Sequence, residues 1–122
     1  MSKATAPAAL LITCSDAPVD RAAYQDRFRD DGLRISRTVA LPPRTVVLAR
    51  EIRRCWQDGL TTVCIMTGTR VRCHTAIVAA AGLAFNRLAD GDLPIGAVAR
   101  DGDGGWELAD DRHRLIVTIS PE

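Results

Sequence analysis

Three short apolar runs, Ala9 to Cys14, Leu33 to Leu41 and Thr61 to Met66, each end in turn formers, and the stretches between them carry apolar residues at helical spacing. That alternation constrains the fold more than any other feature. Strands and helices in strict succession, with brief connections, build a parallel sheet covered by helices. The first run stops at Ser15-Asp16-Ala17-Pro18, the second at Pro42-Pro43 and the third at Thr67-Gly68-Thr69. From Asp20 to Asp31, Ala22, Ala23, Tyr24 and Phe28 predict an amphipathic helix, with Gly32 placed as its left-handed stop. Between Thr45 and Asp58, the positions Val46, Leu48, Ala49, Ile52, Cys55 and Trp56 predict a second helix, stopped by Gly59. Thr75 to Leu88 is Ala-rich and apolar, a third helix. Beyond it, Ile95 to Ala99 and Trp106 to Leu108 flank a glycine-rich turn and predict a hairpin, and Leu115 to Ile119 reads as a last strand. The expectation is an α/β fold: a three-layer αβα sandwich with a mostly parallel sheet, a C-terminal β-hairpin and a final strand, in one domain over residues 1–122.

With 122 residues there is room for one ordinary domain, and 47% apolar against 25% charged residues suffices for a buried core. The net charge of +1 argues against a broad nucleic-acid grip, although only Lys3 among the sixteen basic residues is not arginine. The first 60 residues carry a balance of +3, which a solvated helix face explains about as well as a ligand. The longest apolar run, Ala76 to Phe85, is half the ~20 residues of a membrane-crossing helix. No export signal is read at the start, so a cytoplasmic location without membrane or nucleic-acid partners is expected. Cys14, Cys55, Cys64 and Cys73 are separated by 41, 9 and 9 residues, which matches neither a zinc ribbon nor a disulfide scaffold. Free thiols and no metal site are the expectation.

In an open parallel sheet, ligands settle beyond the carboxyl ends of the strands, where free helix N–H groups converge. Three segments meet that condition: Ser15-Asp16, Pro42-Pro43-Arg44-Thr45, and Thr67 to Thr75. The last offers Gly68 for close backbone approach, the hydroxyls of Thr67, Thr69 and Thr75, the guanidinium groups of Arg70 and Arg72, and a helix start. Those parts suit an anion such as phosphate. The plainer account is a turn shaped by Gly68, a Thr cap and solvated arginines.

Thr13-Cys14-Ser15-Asp16, Asp20 opening a helix, Gly32 before a strand and prolines, and above all Met66-Thr67-Gly68-Thr69 resemble the molybdopterin-binding domain of molybdopterin adenylyltransferases, the MoaB/Mog-like family. The resemblance covers residues 9 to 83, and Arg72 with Thr75 looks like the Arg-Asp-x-Thr start of that family's next helix. It implies a pterin or nucleotide phosphate ligand held by Ser15, Thr67, Gly68, Thr69, Arg70, Arg72 and Thr75, with Thr75 capping the helix. It also implies trimers or larger homo-oligomers, and Mg and ATP if adenylyl transfer is retained. The sequence departs from the family at the loop, which has fewer glycines and places Cys73 where the family has an Asp. No acidic residue follows the second strand. Asp16 is the one carboxylate placed to assist catalysis, and its plainer role is to cap its own loop.

Cys14, Cys73 and His74 lie near strand ends, with Cys73 a candidate reactive thiol at a helix N-terminus. Otherwise Cys14 and Cys64 are core residues and His74 belongs to the loop surface. Trp56 reads as core or subunit contact, Trp106 as a candidate exposed anchor, and His113 as solvent-facing. The competing functional expectations are a molybdopterin or nucleotide binder, a non-catalytic relative acting as oligomeric scaffold or regulatory partner, and a thiol enzyme using Cys73.

Overall fold

The computed structural model describes residues 6–13, 28–29, 32–68, 71–90, 93–100 and 105–119. The strands β1 (Ala6–Thr13), β2 (Leu33–Ala40) and β3 (Thr62–Thr67) form where the apolar runs predict them. Helix α1 (Thr45–Gln57) joins β2 to β3, and helix α2 (Val71–Phe85) follows β3. Phe28 and Arg29 are helical, and the rest of the helix expected over 20–31 lies outside the described residues. A small hairpin, β4 (Ala89–Asp90) with β5 (Leu93–Pro94), was not foreseen; it precedes β6 (Val98–Ala99), β7 (Trp106–Ala109) and β8 (Arg114–Ile119). The main sheet runs β2-β1-β3-β8-β7-β6. Its first four strands are mutually parallel, and β7 and β6 add antiparallel edges, so the expected α/β architecture, hairpin and final strand are all present.

The strand order dictates where the helices sit. The chain steps from β1 outward to β2, then back across β1 to β3 and onward to β8. Right-handed crossovers in opposite directions must use opposite faces of the sheet. Accordingly, α1 and α2 pack with Ala9, Leu11, Val63, Ile65, Leu115 and Val117 on one face. Phe28 packs with Ala8, Leu10, Ile12, Cys64, Met66 and Ile116 on the other. Both faces are buried, which is why these strands read as continuous apolar runs rather than alternating ones.

Helix α1 meets the sheet through most of the predicted stripe, but Val46 faces out, 62% exposed. Leu48, Ala49, Ile52 and Cys55 of α1 are buried, as are Cys73, Ala76, Ile77, Ala80 and Ala81 of α2. Burying a side chain the size of Leu48 or Ile52 contributes roughly 1.5–3 kcal/mol. Gly59, at φ 89°, ends α1 as expected: its N–H reaches the Trp56 carbonyl and that of Leu60 reaches Cys55. Helix α2 spans four residues earlier at its start than the sequence suggests. It stops at Phe85 because Asn86 turns left-handed at φ 56°, and the Arg87 N–H closes back on the Gly82 carbonyl at 2.8 Å.

Two aromatic expectations change. Trp106 is not an exposed anchor: in β7 it alternates inward with Leu108 and is 4% exposed. His113 does not simply face solvent, because its ring stacks on Trp56 with centroids 4.2 Å apart and planes 17° off parallel. Trp56 in turn meets Phe85 edge-on at 4.9 Å, so it ties α1 to α2 and to the β7–β8 turn.

Candidate functional site

The winding reverses between β1 and β3, and in open α/β sheets the carboxyl ends of the strands at such a switch point are the usual ligand position. Thr13, Thr67 and Ile119 stand side by side there, paired in register across β1, β3 and β8. By two-residue alternation, Thr13 follows Ala9 and Leu11, and Thr67 follows Val63 and Ile65, onto the face that carries α1 and α2. Both threonines are at most 1% exposed, and neither hydroxyl has a hydrogen-bond partner among the described residues. Thr118, facing the opposite side with Ile116, is likewise buried and unpartnered. A buried polar group left without a partner costs roughly 1–3 kcal/mol, so this end of the sheet concentrates a cost that a hydrogen-bonding ligand would relieve.

The start of α2 borders the same end. No acidic residue occupies its first turn, where a negative charge would suit the positive end of the helix dipole; Arg72 stands there instead, exposed. A cation at that position favours the approach of an anion. His74, half-buried in the same first turn, places Nε2 3.1 Å from the Gly68 carbonyl, and the ring donates this bond as the Nε2–H form. Gly68 is buried, so the turn leaving β3 is fixed by His74 rather than left open to solvent. On the far side, Gly105 lets β7 begin tightly against the end of β8: a Cβ there would stand 1.8 Å from the Val117 carbonyl oxygen.

The structure therefore brings Thr67, Gly68, Arg72 and His74 to one end of the sheet beside Thr13. Ser15, Asp16, Thr69, Arg70 and Cys14 lie outside the described residues. Thr75 is not the helix cap: α2 begins at Val71, which leaves Thr75 exposed one turn inside it. Cys73 is fully buried and disulfide-bonded, with a partner outside the described residues, so it differs from the free-thiol expectation and offers no thiolate in this state. The wide cysteine spacing could not announce that bond. Cys55 and Cys64 are buried thiols outside any disulfide, and burial pushes the Cys55 thiol up, against the nearby Arg37 guanidinium. Sequence reasoning missed Thr13, whose signal was a hydroxyl closing an otherwise apolar strand.

Magnesium requires hard oxygen ligands, chiefly carboxylates. The described residues at the strand ends supply hydroxyls but no carboxylate, and no group of three or more His, Cys, Asp or Glu side chains among the described residues could hold a metal. Asp16, the carboxylate expected at this strand end, lies outside the described residues.

No family model and no curated protein matches the sequence. The fold does have solved counterparts. The protein CinA from Thermoplasma acidophilum, of unknown function, superposes with a TM-score of 0.67 at 11% identity, covering 93% of this chain and 87% of that one. A molybdopterin biosynthesis protein from Mycobacterium abscessus superposes with a TM-score of 0.56 at 10% identity, covering 95% and 82%. The chain thus shares the α/β fold of these two structures. Among the described residues, no helix is long and apolar enough to cross a membrane.

Proposed function

We infer that the chain binds a small phosphate-bearing molecule, a pterin such as molybdopterin or a nucleotide, at the carboxyl ends of β1, β3 and β8. One observation carries this reading: the adjacent, buried and unpartnered hydroxyls of Thr13 and Thr67. Arg72 at the positive end of α2 supplies the charge complement for phosphate. The fold shared with a molybdopterin biosynthesis protein supports a pterin as the organic part. Binding rather than catalysis is the reading, because the described strand ends hold no carboxylate for Mg and ATP chemistry; Asp16 would be the acid to test if turnover were found.

Thermal melting with added molybdopterin or adenine nucleotide tests it. Ligand at about ten times its Kd stabilises the folded state by ~1.4 kcal/mol, or roughly 5 °C for a chain of this size. Arg72→Ala, an exposed change that leaves the core intact, is expected to remove most of that shift. A wild-type protein whose melting temperature ignores both ligands would overturn the binding reading and favour a non-catalytic scaffold or regulatory partner.

A further inference from the structure

Away from the strand ends, the outer surface of the α1–α2 layer is cut by a cleft of about 570 Å³ lined by Val46, Ala49, Arg50, Arg53, Arg54 and Leu83. A second cleft of about 450 Å³ shares Arg53 and Leu83 and extends toward Arg87 and Leu88. Two properties set this groove apart. Its apolar wall is open to water, with Val46 62%, Leu83 48% and Leu88 78% exposed. Its charged lining is entirely basic. Val46, Arg50, Arg53 or Arg54, and Gln57 recur every three or four residues, so they form one stripe along three turns of α1, about 17 Å long.

We propose that this groove docks an acidic amphipathic helix, about three turns long, of a partner protein. The apolar wall would take the partner's hydrophobic face, as in helix-in-groove recognition, and the arginines its carboxylates. Charge complementarity selects this occupant. Among the described carboxylates, Glu107 is engaged by Arg100 and Arg114, Asp58 by Arg37, and Asp110 by His113 and two backbone N–H groups. Glu51 and Asp111 are further described acids, yet α1 carries only Glu51 and α2 none, so a second copy presents no acidic helix among its described residues to lie in the groove. Nucleic acid fits less well, because no aromatic side chain among the described residues lines the groove to stack a base and the exposed aliphatic wall would meet phosphate.

The test is fluorescence anisotropy with the full chain and a labelled twelve-residue peptide carrying Leu at helical i, i+3, i+4 and i+7 positions and Glu or Asp elsewhere. Binding is expected to weaken about tenfold in Arg50→Ala/Arg54→Ala, an exposed helix change that favours the helix, and comparably in Val46→Asp. Raising salt from about 50 mM to about 500 mM is expected to weaken it several-fold. Equal affinity for the Gln/Asn version of the peptide would overturn the proposal. So would equal affinity for a single-stranded oligonucleotide of the same charge, or a dimer in light scattering that dissociates in the double variant. Arg72→Ala leaves peptide binding unchanged in this account, which keeps the groove separable from the phosphate site.

Discussion

Thr67→Val replaces a hydroxyl with a methyl of nearly the same shape at a position that is 0% exposed. In an ordinary protein, removing a buried hydroxyl sacrifices a hydrogen bond and destabilises. Here the Thr67 hydroxyl has no partner among the described residues, so the folded state already bears its desolvation cost, roughly 1–3 kcal/mol, and the valine recovers it. The added methyl contributes up to ~0.8 kcal/mol more through apolar burial. The ligand-free protein is therefore expected to gain about 1–3 kcal/mol, seen in urea unfolding as a higher midpoint at an unchanged slope. Thr67→Ser, which keeps the hydroxyl and loses the methyl, is expected to move the other way by about 1 kcal/mol. Thr13→Val is expected to behave like Thr67→Val, with sub-additive gains in the double variant because the two residues are register neighbours. The gain comes with a loss: if these hydroxyls serve a ligand, the stabilised variants bind it more weakly, the usual exchange of stability against function. A Thr67→Val protein destabilised by 1 kcal/mol or more would refute the reasoning, since the hydroxyl would then have a partner such as a bound water.

Gly105→Ala forces a Cβ to within 1.8 Å of the Val117 carbonyl, a backbone atom that cannot swing away, and a loss of about 3 kcal/mol or more is expected in chemical denaturation. His113→Ala removes the ring stacked on Trp56 and is expected to cost about 0.5–1.5 kcal/mol, with a change in Trp56 fluorescence as a second readout. The backbone N–H groups of Arg112 and His113 hold the Asp110 carboxylate below its ordinary range. Its contribution is thus present above the unfolded-state value and lost as pH falls through the lower folded value, so the stability gap between wild type and Asp110→Asn should close on acidification. Alkylation of unfolded but unreduced protein, read by peptide mass, should label Cys55 and Cys64 and spare Cys73.

Much of the fold was legible because the sheet is buried on both faces: Ala9 to Ile12, Val63 to Met66 and Leu115 to Val117 are uninterrupted apolar runs that have no other place to go. Gly59 marked the stop of α1 truly at φ 89°, and Gly32 has the expected left-handed backbone at φ 74°. What failed had physical causes of a different kind. The α2 start was hidden because Val71 and Cys73 look like loop residues beside two arginines, yet Cys73 is the first buried residue of the helical stripe. Asn86 and the β4–β5 hairpin were hidden because the apolar pattern continues to Leu88 past the point where the backbone turns left-handed. Trp106 and His113 depend on partners distant in sequence, which no local pattern carries. At the candidate site, Thr67, Gly68 and Arg72 were read from the turn chemistry after β3. Thr13 became visible only once β1 lay in register with β3.

Backbone chemical-shift mapping by ¹⁵N-labelled NMR, with adenosine monophosphate and then a phosphorylated pterin titrated in, tests the central claim most directly. The account predicts saturable shifts concentrated at Thr13, Thr67, Gly68 and Arg72, weakened in the Arg72→Ala protein. Shifts confined to the α1–α2 groove around Arg50 and Arg54, or none at millimolar ligand, would contradict it.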